Sequence, residues 1–189
     1  MDKGRLEAFT DGVVAIIITI MVLELKVPHG ADLEAFKSSL PVMLAYVLSY
    51  INVGIFWNNH HHMLHATDRV NGSILWANLF LLFWLSLVPF VIRWIDEEGI
   101  TALPVAAYAG VLFMAAIGYS VLQRAIVAYN GQSSKLAEAI GSDFKGKISS
   151  VTYLVAMPVA FVSPWLAILM CVAIALLWLI PDRRIETKL

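Results

Sequence analysis

The chain has 189 residues, of which 60% are hydrophobic and 14% are charged, and its mean hydropathy is +0.78. Soluble domains have about 45–50% apolar and about 25% charged residues, so this composition excludes a water-soluble globule and indicates an integral membrane protein. The formal net charge of −1 excludes the basic surface that nucleic-acid binding requires. The single cysteine, Cys171, forms neither an internal disulfide nor, by itself, a thiolate metal site.

Six membrane-spanning segments are predicted, because a bilayer core about 30 Å thick requires about 20 apolar residues in a helix. The first segment covers residues 6–25 and ends before Pro28 and Gly30. We expect it to remain in the mature protein, since it contains Asp11 and no small-residue cleavage site precedes the next charged loop. The second segment begins at Pro41, whose missing N–H suits a first helical turn, and ends in a histidine cluster.

The other four segments are bounded by turn-forming and charged residues. The third covers residues 74–94, the fourth covers residues 101–128, and residues 135–147 follow as a short interfacial helix. The last two, residues 148–162 and 165–180, share a turn at Ser163-Pro164 and are short for a bilayer. The predicted fold class is therefore an all-α integral membrane protein with six transmembrane helices, in which residues 1–189 form a single domain.

Lysine and arginine residues are divided unequally between the two sides of this topology. The side that holds both termini carries ten of them, whereas the other side carries only Lys26, Lys37 and Arg93. The positive-inside rule then predicts that both termini are cytoplasmic. The opposite loops hold six carboxylates, whose negative field would attract cations to an entrance there. The alternative is a solvated acidic surface without a role.

The first segment combines ionisable residues at its start with an apolar stripe along one face. Asp11 lies at a depth where an unpaired charge is costly, so it indicates a functional or structural network. Ile16, Thr19, Ile20 and Leu23 recur at helical spacing and share one face. Such a stripe is usually a packing face. Around an axis shared by several copies, however, it would form hydrophobic rings with a hydroxyl ring between them, as in pores that gate by dewetting.

A histidine cluster ends the second segment. His61 and His65 are four residues apart, which is the spacing of two zinc ligands on one helix. The alternative is a hydrogen-bonded network with Trp57, Asn58 and the Arg5 or Asp11 of a neighbouring helix. Histidine titration near neutral pH would make such a network sensitive to pH.

Residues 5–11 form the string Arg5-Leu6-Glu7-Ala8-Phe9-Thr10-Asp11. This string resembles the R-x-x-x-F-S-D signature at the start of the first helix in the transmembrane protein 175 family, the lysosomal potassium channels and their prokaryotic relatives. Thr10 replaces the usual serine and keeps the hydroxyl. The similarity continues through the closing Leu-Lys-Val-Pro and the second-segment pattern Phe56-Trp57-x-x-His60-His61. Six segments in this length are typical of the single-repeat prokaryotic members.

This resemblance implies a potassium-permeable channel in a prokaryotic plasma membrane, assembled as a homotetramer with the first helix of each subunit around the pore. The family lacks a carbonyl selectivity filter and uses side chains of the first helix instead. By the resemblance, the hydrophobic constriction falls on Ile16, further apolar layers fall on Ile20 and Leu23, and the selectivity-linked hydroxyl falls on Thr19. These residues form the stripe described above, so the resemblance favours a pore lining over a packing face.

The resemblance further implies that the signature residues are structural and tie the base of the first helix to the second. They are Arg5, Phe9, Thr10, Asp11, Trp57, His60 and His61. No cofactor and no enzymatic activity are expected, and the expected partners are the lipid bilayer and monovalent cations, with potassium as the permeant ion.

Two alternative functions stay open at this point. One is a proton or cation carrier, or a proton-leak pathway, that uses Asp11 and the histidines as relay groups. The other is a zinc-dependent membrane enzyme built on His61 and His65. The sequence contains no P-loop and no G-x-S-x-G elbow, so it gives no support for nucleotide or serine hydrolysis.

Overall fold

The computed structural model describes residues 3–30, 32–67, 69–131 and 143–179. Within these ranges the chain forms seven α-helices and no β-strand: α1 (Lys3–Leu23), α2 (Leu33–His65), α3 (Gly72–Ser86), α4 (Val88–Glu98), α5 (Ala102–Asn130), α6 (Phe144–Val159) and α7 (Pro164–Leu179). Because α3 and α4 form one interrupted apolar stretch, the described residues contain six helical units. The predicted all-α fold is confirmed.

Four of these units are long and apolar enough to cross a membrane: Lys3–Leu23, Leu33–His65, Gly72–Glu98 and Ala102–Asn130. The helices α6 and α7 have 16 residues each, which gives about 24 Å of helix and is shorter than a bilayer core. They are joined by a tight turn in which the Ser163 N–H donates to the Val159 carbonyl at 2.8 Å. Pro164 then occupies the first position of α7, where its missing N–H costs nothing.

The predicted start of the second segment at Pro41 is wrong. The helix α2 begins eight residues earlier, at Leu33, and contains Pro41. The reason is local, because Asp32 Oδ1 accepts a hydrogen bond from the Ala35 N–H at 2.8 Å and caps the first turn. Glu34 in that turn complements the helix dipole. Pro41 removes only one backbone donor, and the capped turns before it remain helical.

The third segment is interrupted at Leu87 and extends to Glu98, beyond the predicted end at residue 94. Pro89 lies in the first turn of α4 and has no N–H to donate to the carbonyl four residues earlier, which separates α3 from α4. The helix α4 stops at Gly99, whose φ of 73° lies in the left-handed region that glycine adopts readily.

The remaining helix ends lie close to the predicted ones. The predicted interfacial helix, residues 135–147, falls largely outside the described residues, and its last four residues belong to α6.

The helix α5 is the centre of the subunit. It packs against α3, α4, α6 and α7, and buried residues extend along most of its length. The helix α1 packs chiefly against α2, α3 and α4. It therefore lies at the edge of the bundle and presents one face outward.

The helices α3 and α5 are in close contact at Gly118. A Cβ at this position would lie 2.9 Å from the Leu81 Cα and 3.3 Å from the Leu81 N. Both are backbone atoms, so a larger residue would require α3 to shift as a whole. At Gly110, by contrast, a Cβ would meet only the flexible end of Met157, at 3.5 Å. A small residue such as Gly118 lets two helix backbones approach closely.

We predict that Gly118→Ala lowers the yield and the thermal unfolding midpoint of the detergent-purified protein, because overpacking of this kind costs about 1–3 kcal/mol. The matched control is Gly110→Ala, which should be neutral or stabilising, since alanine is favoured over glycine in a helix by about 1 kcal/mol. Size-exclusion chromatography after heating measures both variants. Equal stability of the two would contradict a close approach of the backbones at Gly118.

Candidate pore helix and its anchoring network

The helix α1 has one face that is buried in the subunit. Leu6, Thr10, Val14, Ile17 and Met21 recur at helical spacing, and each is at most 5% exposed. This face fixes the rotation of α1, because it packs into the common core of the bundle.

The predicted stripe lies on the outward side of α1. Ile16, Ile20 and Leu23 are 58%, 40% and 80% exposed, and Thr19 is exposed as well. These side chains point away from the core of the subunit, whereas Ile17, one residue from Ile16, is 3% exposed. The structure therefore separates two adjacent isoleucines into an outward and a buried position.

An open cavity of about 430 Å³ lies between α1 and α4 beside the stripe. Ile16 and Ile20 line it from α1, and Phe90 lines it from α4. Glu24 and Arg93 line its charged end, where α1 finishes. The cavity is thus apolar along the stripe and charged at one mouth.

The Thr19 hydroxyl has a defined orientation. Its Oγ1 donates to the Ile16 carbonyl at 2.9 Å. A hydroxyl carries one proton and two lone pairs, so the lone pairs of Thr19 remain available on the exposed side.

Asn78 of α3 joins α1 to α2 through two hydrogen bonds. Its Nδ2 donates to Thr10 Oγ1 at 2.9 Å, and its Oδ1 accepts from His60 Nε2 at 2.8 Å. All three side chains are buried. Because an amide oxygen only accepts, His60 carries a proton on Nε2. A satisfied polar group among apolar neighbours favours one arrangement of the helices over others.

Asp11 is bound to Trp57 of α2. The Trp57 Nε1–H donates to Asp11 Oδ1 at 2.8 Å. The donor is neutral, and the bond joins two of the signature residues that the resemblance implies are structural. The bond ties the base of α1 to α2 on the exposed side of the pair.

His61 of α2 also contacts the base of α1. Its Nδ1 lies 3.3 Å from Glu7 Oε1, and its ring stacks on Trp57 and on His65 at centroid distances of 6.2 Å and 6.3 Å. Lys3 reaches past the end of α2, where its Nζ donates to the Thr67 carbonyl at 3.2 Å. In the described part of the chain, no three His, Cys, Asp or Glu side chains are placed to hold a metal ion together, so the zinc interpretation of His61 and His65 gains no third ligand.

Two signature residues lie apart from this network. Arg5 is exposed and forms no hydrogen bond or ion pair within the residues that the structure describes. Phe9 is 52% exposed. The structure connects the other five signature residues in two groups. Thr10 and His60 are both bonded to Asn78, and Asp11 is bonded to Trp57, whose ring stacks on His61.

Two residues of the network were not predicted from the sequence. They are Asn78, inside the apolar third segment, and Glu7, inside the signature string. The signal for Asn78 was its amide in an otherwise apolar segment, since a polar side chain inside a membrane helix usually has a structural or functional partner.

A family model described as the endosomal/lysosomal potassium channel TMEM175 matches residues 5–89. The chain is also 53% identical to a protein named as a potassium channel in Chryseobacterium sp. (strain P1-3), over 100% of this chain and 98% of the relative. The chain belongs to the TMEM175 family. A second relative, named as a potassium channel in Chamaesiphon minutus, is 30% identical over 93% of this chain and 92% of its own length.

The fold agrees with a solved member of the TMEM175 family. The crystal structure of a lysosomal potassium-selective channel TMEM175 homologue from Chamaesiphon minutus superposes with a TM-score of 0.76 at 30% identity, covering 93% of this chain and 95% of that chain. As a TMEM175-family member, the protein is a multi-pass membrane protein and a cation channel, not an enzyme. The zinc-dependent enzyme is thereby excluded.

We predict that Asp11→Asn is milder than Asp11→Leu. The asparagine oxygen still accepts from the Trp57 indole, whereas leucine removes a hydrogen bond whose net contribution is about 0.5–1.5 kcal/mol. Thermal unfolding of the purified variants measures the difference. Trp57→Phe removes the donor, so Asp11→Leu should have little further effect in that background. Equal destabilisation by Asn and Leu would show that the charge of Asp11, and not its hydrogen bond, stabilises the protein.

Proposed function

We propose that the protein is a potassium-permeable channel of a bacterial plasma membrane, formed by four copies of residues 1–189 with α1 of each copy around the pore. Both termini are cytoplasmic in this proposal, in keeping with the distribution of lysine and arginine. The observation that carries the proposal is the outward stripe of Ile16, Thr19, Ile20 and Leu23 on a helix whose opposite face is anchored in the subunit. The names of the two bacterial relatives support potassium as the ion.

Exposure of apolar side chains does not by itself identify a pore, because a lipid-facing helix also exposes them. Two features of α1 favour a pore. Its exposed face carries the Thr19 hydroxyl in the middle of the apolar stripe, and ionisable residues lie toward both ends of the helix, Asp11 at the base and Glu24 at the other end. Such groups are costly against lipid and are usually found against protein or water.

The backbone of α1 leaves the selection of ions to its side chains. The helix is continuous from Lys3 to Leu23, so its carbonyl groups are used in the helical hydrogen bonds and are not available as a filter. In the proposed pore, Ile16, Ile20 and Leu23 form apolar layers that resist a hydrated ion. Thr19 provides a ring of hydroxyl oxygens, and because its proton is held by the Ile16 carbonyl, the lone pairs face the ion.

A proton-leak pathway or a proton or cation carrier is the second candidate function. It is favoured by the ionisable groups at the base of α1, where Asp11 and His61 are exposed and Glu7 contacts His61. A carrier would show saturable flux that depends on a second ion, whereas a channel shows discrete current steps.

Reconstitution of the purified protein in planar bilayers tests the proposal directly. We expect potassium currents that exceed sodium currents, together with a mass in native mass spectrometry that corresponds to four subunits. An intact tetramer without potassium current, or a monomer that conducts, would overturn it.

We predict that Ile16→Asn raises potassium conductance or open probability and admits other cations. An amide at the constriction gives water a partner and lowers a dewetting barrier, whereas Ile16→Met, which remains apolar, should have a smaller effect. The matched control is Ile17→Asn. It buries an amide in the packed face of α1 and should reduce expression without a leak. If both asparagine variants gave the same phenotype in single-channel recordings, the assigned face of α1 would be wrong.

We predict that Thr19→Val reduces the permeability ratio of potassium to sodium and leaves assembly intact. Valine keeps the volume and removes the only polar atom of the stripe, so the ion loses a replacement for its hydration shell. Thr19→Ser, which retains the hydroxyl, should stay close to the unsubstituted protein. Reversal potentials in mixed salts measure the ratio, and an unchanged value in Thr19→Val would argue against the role of the hydroxyl.

A further inference from the structure

Glu24 lies one turn beyond Ile20, at the edge of the stripe that faces α4. It follows Ile20 by four residues and Ile16 by eight, and the Glu24 N–H donates to the Ile20 carbonyl at 3.1 Å. The helical turn therefore continues to Glu24. Its side chain lines the same cavity as Ile16 and Ile20, at the end where α1 finishes.

Arg93 of α4 holds the Glu24 carboxylate in this position. The Arg93 Nη1 donates to Glu24 Oε2 at 3.0 Å, and the Arg93 Nε donates to Glu97 Oε1 at 3.1 Å. One guanidinium thus binds a carboxylate from each of two helices, a geometry to which its fork of donors is suited.

A lysine completes the cluster. Lys26 Nζ lies 3.8 Å from Asp96 Oδ2 and 3.9 Å from Glu97 Oε1. The cluster therefore contains three carboxylates and two cationic side chains, which leaves one net negative charge per subunit. The Asp96 side chain is 12% exposed and that of Glu24 is 28% exposed.

We propose that Glu24 sets the access of cations to the end of the pore where α1 finishes, and that Arg93 is a positioning residue that orients Glu24 and offsets its charge. This inference rests on the proposed function of α1 as the pore helix. Four copies around an axis bring four such clusters to one mouth, and their summed negative potential raises the local concentration of potassium. Among the carboxylates of the acidic loops predicted to attract cations, Glu24 is the one that lines the cavity beside the stripe.

The effect of these charges on conductance should depend on the salt concentration. Fields from exposed charges extend about 30 Å at 0.01 M salt and about 3 Å at 1 M. A change of charge at Glu24 or Arg93 should therefore alter conductance strongly in dilute potassium chloride and weakly in concentrated potassium chloride. Structural damage would alter it at both concentrations.

The experiment compares single-channel potassium conductance of three variants in about 0.01 M and about 1 M potassium chloride. Glu24→Gln should lower the conductance by a factor on the order of three in dilute salt and change it little in concentrated salt. Arg93→Gln removes the compensating cation and should raise it in dilute salt, while Arg93→Lys, which keeps the charge and loses the fork of donors, should raise it less. Opposite signs for the two glutamine variants cannot both result from misfolding.

Glu98→Gln is the matched control. Glu98 is exposed at the same end of α4 and forms no ion pair with the described residues, so its neutralisation removes the same charge outside the cluster. If Glu24→Gln and Glu98→Gln gave the same conductance in dilute salt, or if Arg93→Gln lowered it, the inference would be overturned while the channel itself still stood. Unsubstituted protein that passes no potassium would overturn the proposed function and this inference together.

Discussion

The orientation of α1 depends on the side-chain amide of Asn78. This amide is fully buried among apolar helices, and both of its ends are paired, with Thr10 on α1 and with His60 on α2. A rotation or a shift of α1 would leave a buried amide or hydroxyl without a partner, at a cost of about 1–3 kcal/mol for each group. Thr10 shares a face of α1 with Val14 and Ile17. The rotation of α1 that places Thr10 against Asn78 therefore points Ile16 away from the core of the subunit.

The two ends of α1 are held by different chemistry. At the base, the bond between Trp57 and Asp11 and the contact between His61 and Glu7 attach it to α2. At the other end, Glu24 is attached to Arg93 of α4. Polar contacts thus fix the ends, while the apolar middle is held on one face only. In the proposed pore, this arrangement would keep the lining in register with the other subunits while the face toward the ion stays open.

The scaffold behind α1 owes its rigidity to close packing and to a second buried network. At Gly118 the backbones of α3 and α5 come into contact. Tyr108 of α5 accepts from Ser49 Oγ at 3.1 Å, and Tyr153 of α6 donates to Asn52 Oδ1 at 3.3 Å. Ser49 and Asn52 belong to α2, so this network fixes α2 against the centre of the bundle. The support of α1 is therefore itself held by satisfied polar groups, which specify one arrangement more strongly than apolar packing alone.

The sequence by itself determined the membrane class, the number of helical units and the members of the stripe, because composition and helical spacing are local properties of the chain. The cap at Asp32 and the break before Pro89 are also local signals, and they predict the start of α2 and the end of α3. Only the tertiary structure decided which face of α1 is buried. Ile16 and Ile17 are equally apolar, and lipid resembles the protein interior, so hydropathy does not distinguish an outward from a buried isoleucine in a membrane helix. The pairing of Glu24 with Arg93, which are 69 residues apart, and the bonds of Asn78 to Thr10 and His60 exist only after the helices have packed together.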